Sequence, residues 1–141
     1  MSRHFKIFLI IFFIAASIYI YFPLQLAKLF NLYSFTLWVS NQSFAITPVD
    51  IQIEVDGKLV AKGLFHVETQ HTIIPFGLNL RPGKHSIHIW SEKGMAEKKM
   101  EFEIQDQNVG IVEYWYYPDD HYHPTPKNFT FRIQNEPLGI M

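Results

Sequence analysis

Cysteine is absent from this 141-residue chain. That excludes a disulfide framework, a thiolate nucleophile, zinc held by thiolates and anchoring through an acylated cysteine. An excess of positive charge is missing too. Twelve Lys and Arg stand against thirteen Asp and Glu, for a formal charge of −1. Nucleic acid, which needs a clustered basic face, is therefore not an expected partner. Three of the basic residues, Arg3, Lys6 and Lys28, precede residue 31, where no acidic residue lies. The remainder carries about −4 and has no pull toward anionic headgroups. Catalytic motifs are also lacking: no Gly-x-Ser-x-Gly elbow, no His-Glu-x-x-His pair, no phosphate loop. Ser86 neighbours His85, but adjacent residues on a strand face opposite ways and do not converge. The expectation is a protein that is not an enzyme and has no cofactor.

What is present begins with an uncharged apolar run from Ile7 to Ala27, preceded by Arg3, His4 and Lys6. As a helix its 21 residues would span roughly 30 Å, the thickness of the bilayer hydrocarbon. Tyr19, Tyr21 and Phe22 fall where the far interface would lie, and Arg3 and Lys6 would keep the N-terminus cytoplasmic. Two readings compete: an uncleaved anchor, and a cleaved signal peptide with Ala15-Ala16-Ser17 as its small-residue stretch. Bulky "IYIYF" follows that stretch at once. It fits cleavage poorly and prolongs the apolar run, so the anchor is favoured. The chain then divides into a cytoplasmic N-terminus (1–6), a transmembrane helix (7–27), a juxtamembrane linker (28–47) and an extracytoplasmic domain (48–141). Residues 24–37, "LQLAKLFNLYSFTL", read as the stretch at the membrane interface.

From Pro48 onward the period becomes two. "VDIQIEV" sets Val49, Ile51, Ile53 and Val55 against Asp50, Gln52 and Glu54, as a half-buried strand does. Asp56-Gly57 is a hairpin turn. "KLVAKGLFHV" returns from it, with Gly63 as a candidate bulge. "HTIIPFGLNL" carries Pro75, which cannot donate to a ladder and suggests an edge. "RPGK" at 81–84 has the residue order of a type II turn. Ile87 and Ile89 then alternate with His88 and Trp90, and after Lys93-Gly94, Met100, Phe102 and Ile104 alternate with Lys99, Glu101 and Glu103. "VGIVEYWYY" is apolar on both faces, as a central strand is. "NFTFRIQ" alternates Phe129, Phe131 and Ile133 with Thr130, Arg132 and Gln134. This is all-β patterning: about seven short strands of an immunoglobulin-like or fibronectin-like β-sandwich, behind one N-terminal transmembrane helix.

"VDIQIEVDGKLV" followed by "LNLRPGKHSIHIWSEKG" resembles the small surface-layer β-domains of PEGA type, and the small Ig-like or transthyretin-like domains of bacterial envelope proteins. The likeness covers roughly residues 49–94 and rests on turn chemistry; the name-giving motif of the PEGA family is not present. It implies an extracytoplasmic, non-catalytic accessory domain and supplies no site residues.

The densest chemistry is "YYPDDHYHPTP" at 116–126. Asp119, Asp120, His121 and His123 all offer donor atoms. In an extended segment His121 and His123 project to one side and make a two-nitrogen platform for zinc or copper. A third ligand would have to come from elsewhere, for instance His66, His71, His85 or His88. The bland alternative is a proline-stiffened turn. Tyr117 and Tyr122, beside that loop, form a candidate binding surface for protein or glycan. Trp115 is expected in the core. Asn41-Gln-Ser and Asn128-Phe-Thr match the glycosylation sequon. The function expected is a membrane-anchored extracytoplasmic β-sandwich that binds or scaffolds, its partners being the membrane through residues 7–27 and a protein. Two alternatives are a secreted or periplasmic ligand- or metal-binding domain using loop 118–127, and an accessory subunit of a membrane complex.

Overall fold

The computed structural model describes residues 33–67, 73–121 and 123–135. Eight strands run in chain order: β1 (Phe35–Asn41), β2 (Val49–Val55), β3 (Lys58–Phe65), β4 (Ile74–Leu78), β5 (Gly83–Ser91), β6 (Ala96–Ile104), β7 (Val109–Tyr117) and β8 (Thr125–Gln134). They form two four-stranded sheets, ordered β4-β1-β7-β8 and β3-β2-β5-β6. All pairings are antiparallel except β1 with β7, which is parallel. The fold is an all-β sandwich of eight strands, one more than the sequence pattern suggests. Among the described residues no helix is long and apolar enough to cross a membrane. The expected anchor, residues 7–27, lies outside them.

The additional strand is β1, inside the stretch read as linker. "FTLWVSN" carries large apolar groups on both faces and follows a long apolar run, so no alternation marks its start. In the fold Phe35, Leu37 and Val39 are at most 2 % exposed, and they face Phe102, Ile104 and the rest of one shared core. Phe35 lies 6.4 Å from Phe102, and Phe102 meets Phe131 edge-on at 5.1 Å, so rings from both sheets interlock. Burying each aliphatic side chain of this core contributes about 1.5–3 kcal/mol.

Turn chemistry sets the register. Asp56 and Gly57 both have positive φ, 52° and 72°, which makes the tight two-residue connection of β2 to β3. The bulge of that hairpin does not fall at Gly63. Gly63 pairs regularly with Ile51, and the shift lies between Ile53 and Glu54, opposite Ala61 and Leu59. Pro75 does sit on an edge strand, β4, and β7 is central.

Along β7 the inward residues are Val112, Tyr114 and Tyr116, opposite the core residues Phe131 and Phe129 of β8. Trp115 therefore points away from the interior and Tyr114, 0 % exposed, takes the core position expected of it. With apolar residues on both faces, the strand's own pattern cannot set its parity; cross-strand register does.

Candidate binding surfaces

The loop between β7 and β8 holds the four donors singled out in the sequence. Asp119, Asp120, His121 and His123 are all exposed. Asp120 Oδ1 accepts the His123 backbone N–H at 3.2 Å, and the Thr125 hydroxyl donates to the His123 carbonyl at 3.4 Å. These bonds shape an Asx-type turn. Among the described residues no three His, Cys, Asp or Glu side chains stand together as a metal ion requires.

Tyr117 is tethered. Its hydroxyl donates to the Gln42 carbonyl, and its ring lies 6.0 Å from that of Trp115. Tyr122, the other candidate, lies outside the described residues. The adjacent β1–β2 loop is held by a buried polar network. The Ser43 hydroxyl donates to the Tyr116 carbonyl at 2.8 Å, and Asn41 Nδ2 donates to the carbonyls of Ile46 and Phe65. Asn41 is 3 % exposed with its amide hydrogens committed, so its sequon is not a surface acceptor. The β7–β8 end of the sandwich is thus a braced platform, with Lys127 Nζ 5.1 Å above the Tyr116 ring.

On the outer face of the β3-β2-β5-β6 sheet, alternation along β5 brings His88 and Trp90 out together. Their rings stack at 4.5 Å and 25°. His88 Nε2 bonds Glu97 Oε1 at 2.8 Å, and Lys99 Nζ reaches the same oxygen at 2.9 Å. The Glu97 carboxyl is held below its ordinary range by Lys99 first and His88 second. A shallow groove of about 550 Å³ runs along His88, Trp90, Glu92, Met95 and Glu97. An aromatic face beside carboxylates suits a sugar ring or a cation. Sequence alternation placed His88 and Trp90 on one face, but nothing in it marked Glu97 as their partner across the sheet.

Two carboxylates missed in the sequence close turns. Asp50 accepts the Ser91 hydroxyl at 2.6 Å and the Lys93 and Glu92 amides at 2.8 and 3.2 Å. Burial alone would raise its pKa, but these bonds outweigh burial and lower it. Asp56 does the same at the opposite end, where Oδ1 accepts the Ser86 amide at 2.9 Å and Oδ2 meets His85 Nδ1 at 2.7 Å. Ser86 enters that cluster through its backbone, so aspartate, histidine and serine meet there without forming a nucleophilic triad.

The class these features define is an all-β sandwich with braced loops at one end and an aromatic-acidic groove on one sheet. Comparison with protein-family models, with curated proteins and with solved structures returns no match.

Proposed function

We propose that this chain is a membrane-anchored extracytoplasmic β-sandwich protein that binds or scaffolds a partner and does not catalyse. The observation that carries the reading is the join between its two parts. An uncharged run long enough to cross a bilayer, with Arg3 and Lys6 before it, is followed within a few residues by a strand of the sandwich core. Kinship with the PEGA-type or Ig-like envelope domains is part of this proposal, supported by the hairpin and turn chemistry of residues 49–94. The groove at Trp90 and the loop platform at Tyr117 are the surfaces offered to a partner. Tyr and Trp anchor interfaces well because they bury a large area with few rotatable bonds.

Membrane fractionation combined with N-terminal sequencing tests the anchor. The expected result is a chain that resists carbonate extraction, keeps residues 1–27 and is digested only from outside intact cells. A soluble chain beginning after Ser17 would replace the anchor with a cleaved signal peptide and favour a secreted or periplasmic domain. Cross-linking in intact membranes, with residues 7–27 native or exchanged for an unrelated apolar segment, tests the partner and leaves the core strand β1 whole. Adducts that vanish with that exchange would instead assign the contact to the membrane segment, as in an accessory subunit of a membrane complex.

A further inference from the structure

Residues 79–82 carry the chain from β4 in one sheet to β5 in the other. The Asp56-Gly57 turn lies beside this crossover, at the end where the chain enters β1. His85, near the start of β5, touches both. Its Nδ1 lies 2.7 Å from Asp56 Oδ2, and its Nε2 lies 2.7 Å from the Arg81 carbonyl oxygen. Neither partner has a proton to give. A neutral imidazole carries one N–H and one lone pair, so it satisfies one acceptor and turns a lone pair on the other. Only the imidazolium donates to both.

The surroundings hold that geometry. The His85 side chain is 12 % exposed, and its ring lies 5.6 Å from the ring of Phe102. The ring is largely covered, while its two acceptors, on Asp56 and Arg81, lie at the surface. Asp56 cannot swing away, since its Oδ1 accepts the Ser86 amide and its own N–H donates to the Ser86 carbonyl at 3.0 Å. The charged groups around the ring are few. Asp56 faces it from the β2–β3 turn, with Lys58 acting on Asp56. Arg81 presents its carbonyl from the crossover. From β6 the neighbour is Phe102, while Glu101 and Glu103 alternate to the outer face. The Asp56 bond first, and the Arg81 carbonyl second, raise the His85 pKa above 6.5 against the opposing effect of burial.

We infer that His85 is a proton-operated fastener: as imidazolium it ties the β2–β3 turn to the β4–β5 crossover, and loss of its proton releases the crossover around Arg81. The Ser34 hydroxyl donates to the Leu80 carbonyl at 2.7 Å and accepts the Leu80 amide at 2.9 Å. Those bonds do not titrate near neutrality. Release is therefore local and stops at Leu80.

Ring nitrogen NMR on the full-length chain in detergent micelles, from pH 5 to 10, tests this. At pH 5 both His85 nitrogens carry protons, and they titrate with a single midpoint above 6.5. Asp56→Asn brings the midpoint back to 6.5 or below. A His85 midpoint at or below 6.5, or one unmoved by Asp56→Asn, overturns the inference. Hydrogen exchange gives a second readout that needs no Asp56 variant. Corrected for base catalysis, the amide of Gly83, paired with Ile104 where the crossover enters β5, loses protection as pH passes the His85 midpoint. In His85→Gln its protection is flat with pH. The same pH profile in both proteins would also overturn the fastener.

Discussion

Ile111 and Val109 lie on the outer face of the β4-β1-β7-β8 sheet, yet they are only 1 % and 4 % exposed. In the central strands of the other sheet, the outward Gln52, Glu54 and His88 are half-buried and polar, with Trp90 stacked on His88. The inner faces of the two sheets are alike: both are aliphatic and aromatic, and both feed one core. Their outer faces differ. Trp38, Ile111, Trp115 and Tyr117 make the first ring-rich along β1 and β7, with Trp38 Nε1 buried there and no hydrogen-bond partner for it among the described residues, while Glu113 pairs with Arg132 of β8 at 2.9 Å. Glu54 with His88, and Glu97 with His88 and Lys99, give the second a surface of ion pairs. An antiparallel sheet commonly keeps one wet face. Here the β3-β2-β5-β6 sheet follows that rule throughout and the other sheet follows it along β8, so alternation defines the core from both sides but misses the exterior of β1 and β7.

The comparison can be broken most sharply at Ile111. Ile111→Asp should destabilise the fold by about 3 kcal/mol or more, because it buries an unpaired charge. Urea unfolding measures it. A loss as small as that of a surface substitution would mean that the two outer faces are equivalent after all.

On the shared interior, Tyr114→Phe tests the inward parity of β7. The Tyr114 hydroxyl donates to the Gly94 carbonyl at 2.9 Å, and burial pushes its pKa up to about 12. Removing the hydroxyl leaves that carbonyl unpaired and should cost about 1–2 kcal/mol. In tyrosinate spectra of the wild type, one tyrosine should remain un-ionised past the others, and the variant should lose it.

A smaller effect belongs to the crossover between the sheets. A folded-state pKa raised above the unfolded value stabilises the protein fully below that unfolded value, and the benefit is lost as pH rises through the folded one. With the His85 pKa raised above 6.5, the thermal midpoint should fall by a few degrees as pH climbs from 6 through the His85 midpoint. His85→Gln should flatten the profile over that range.

The smallest effects are expected where the surface is wet. Gln52→Lys, at an outward position of the polar sheet, should change stability by less than about 0.5 kcal/mol. His121→Ala with His123→Ala should leave the melting temperature nearly unchanged, since both side chains are exposed. A zinc-dependent rise in the wild type that the paired variant lacks would make loop 118–127 a metal site.

Much of this fold was legible in the chain. Val49, Ile51, Ile53 and Val55 declared their face, and Asp56-Gly57 declared the hairpin. Pro75 marked an edge, and a doubly apolar β7 marked a centre. Strand β1 was hidden because Trp38 interrupts the polar face that Thr36 and Ser40 would otherwise mark, directly after an apolar run. Parity in β7 was hidden for the same reason, so Trp115 was expected where Tyr114 lies. The conspicuous cluster at 119–123 drew attention through composition alone. Glu97 beside His88 depends on the pairing of β5 with β6, and no single strand contains it.

By itself the sequence determined the all-β class, the inner faces of most strands and the turns that join them. Those follow from local sterics and from the alternation of side chains along a strand, which act over a few residues. The tertiary structure alone decided which strands are dry on their outer side, which β7 ring enters the core, and that His85 meets Asp56 across 29 residues. Each of these depends on strand order and register. Register is settled only when the two sheets close on a common core, because a shift of one residue would turn every apolar side chain to the wrong side.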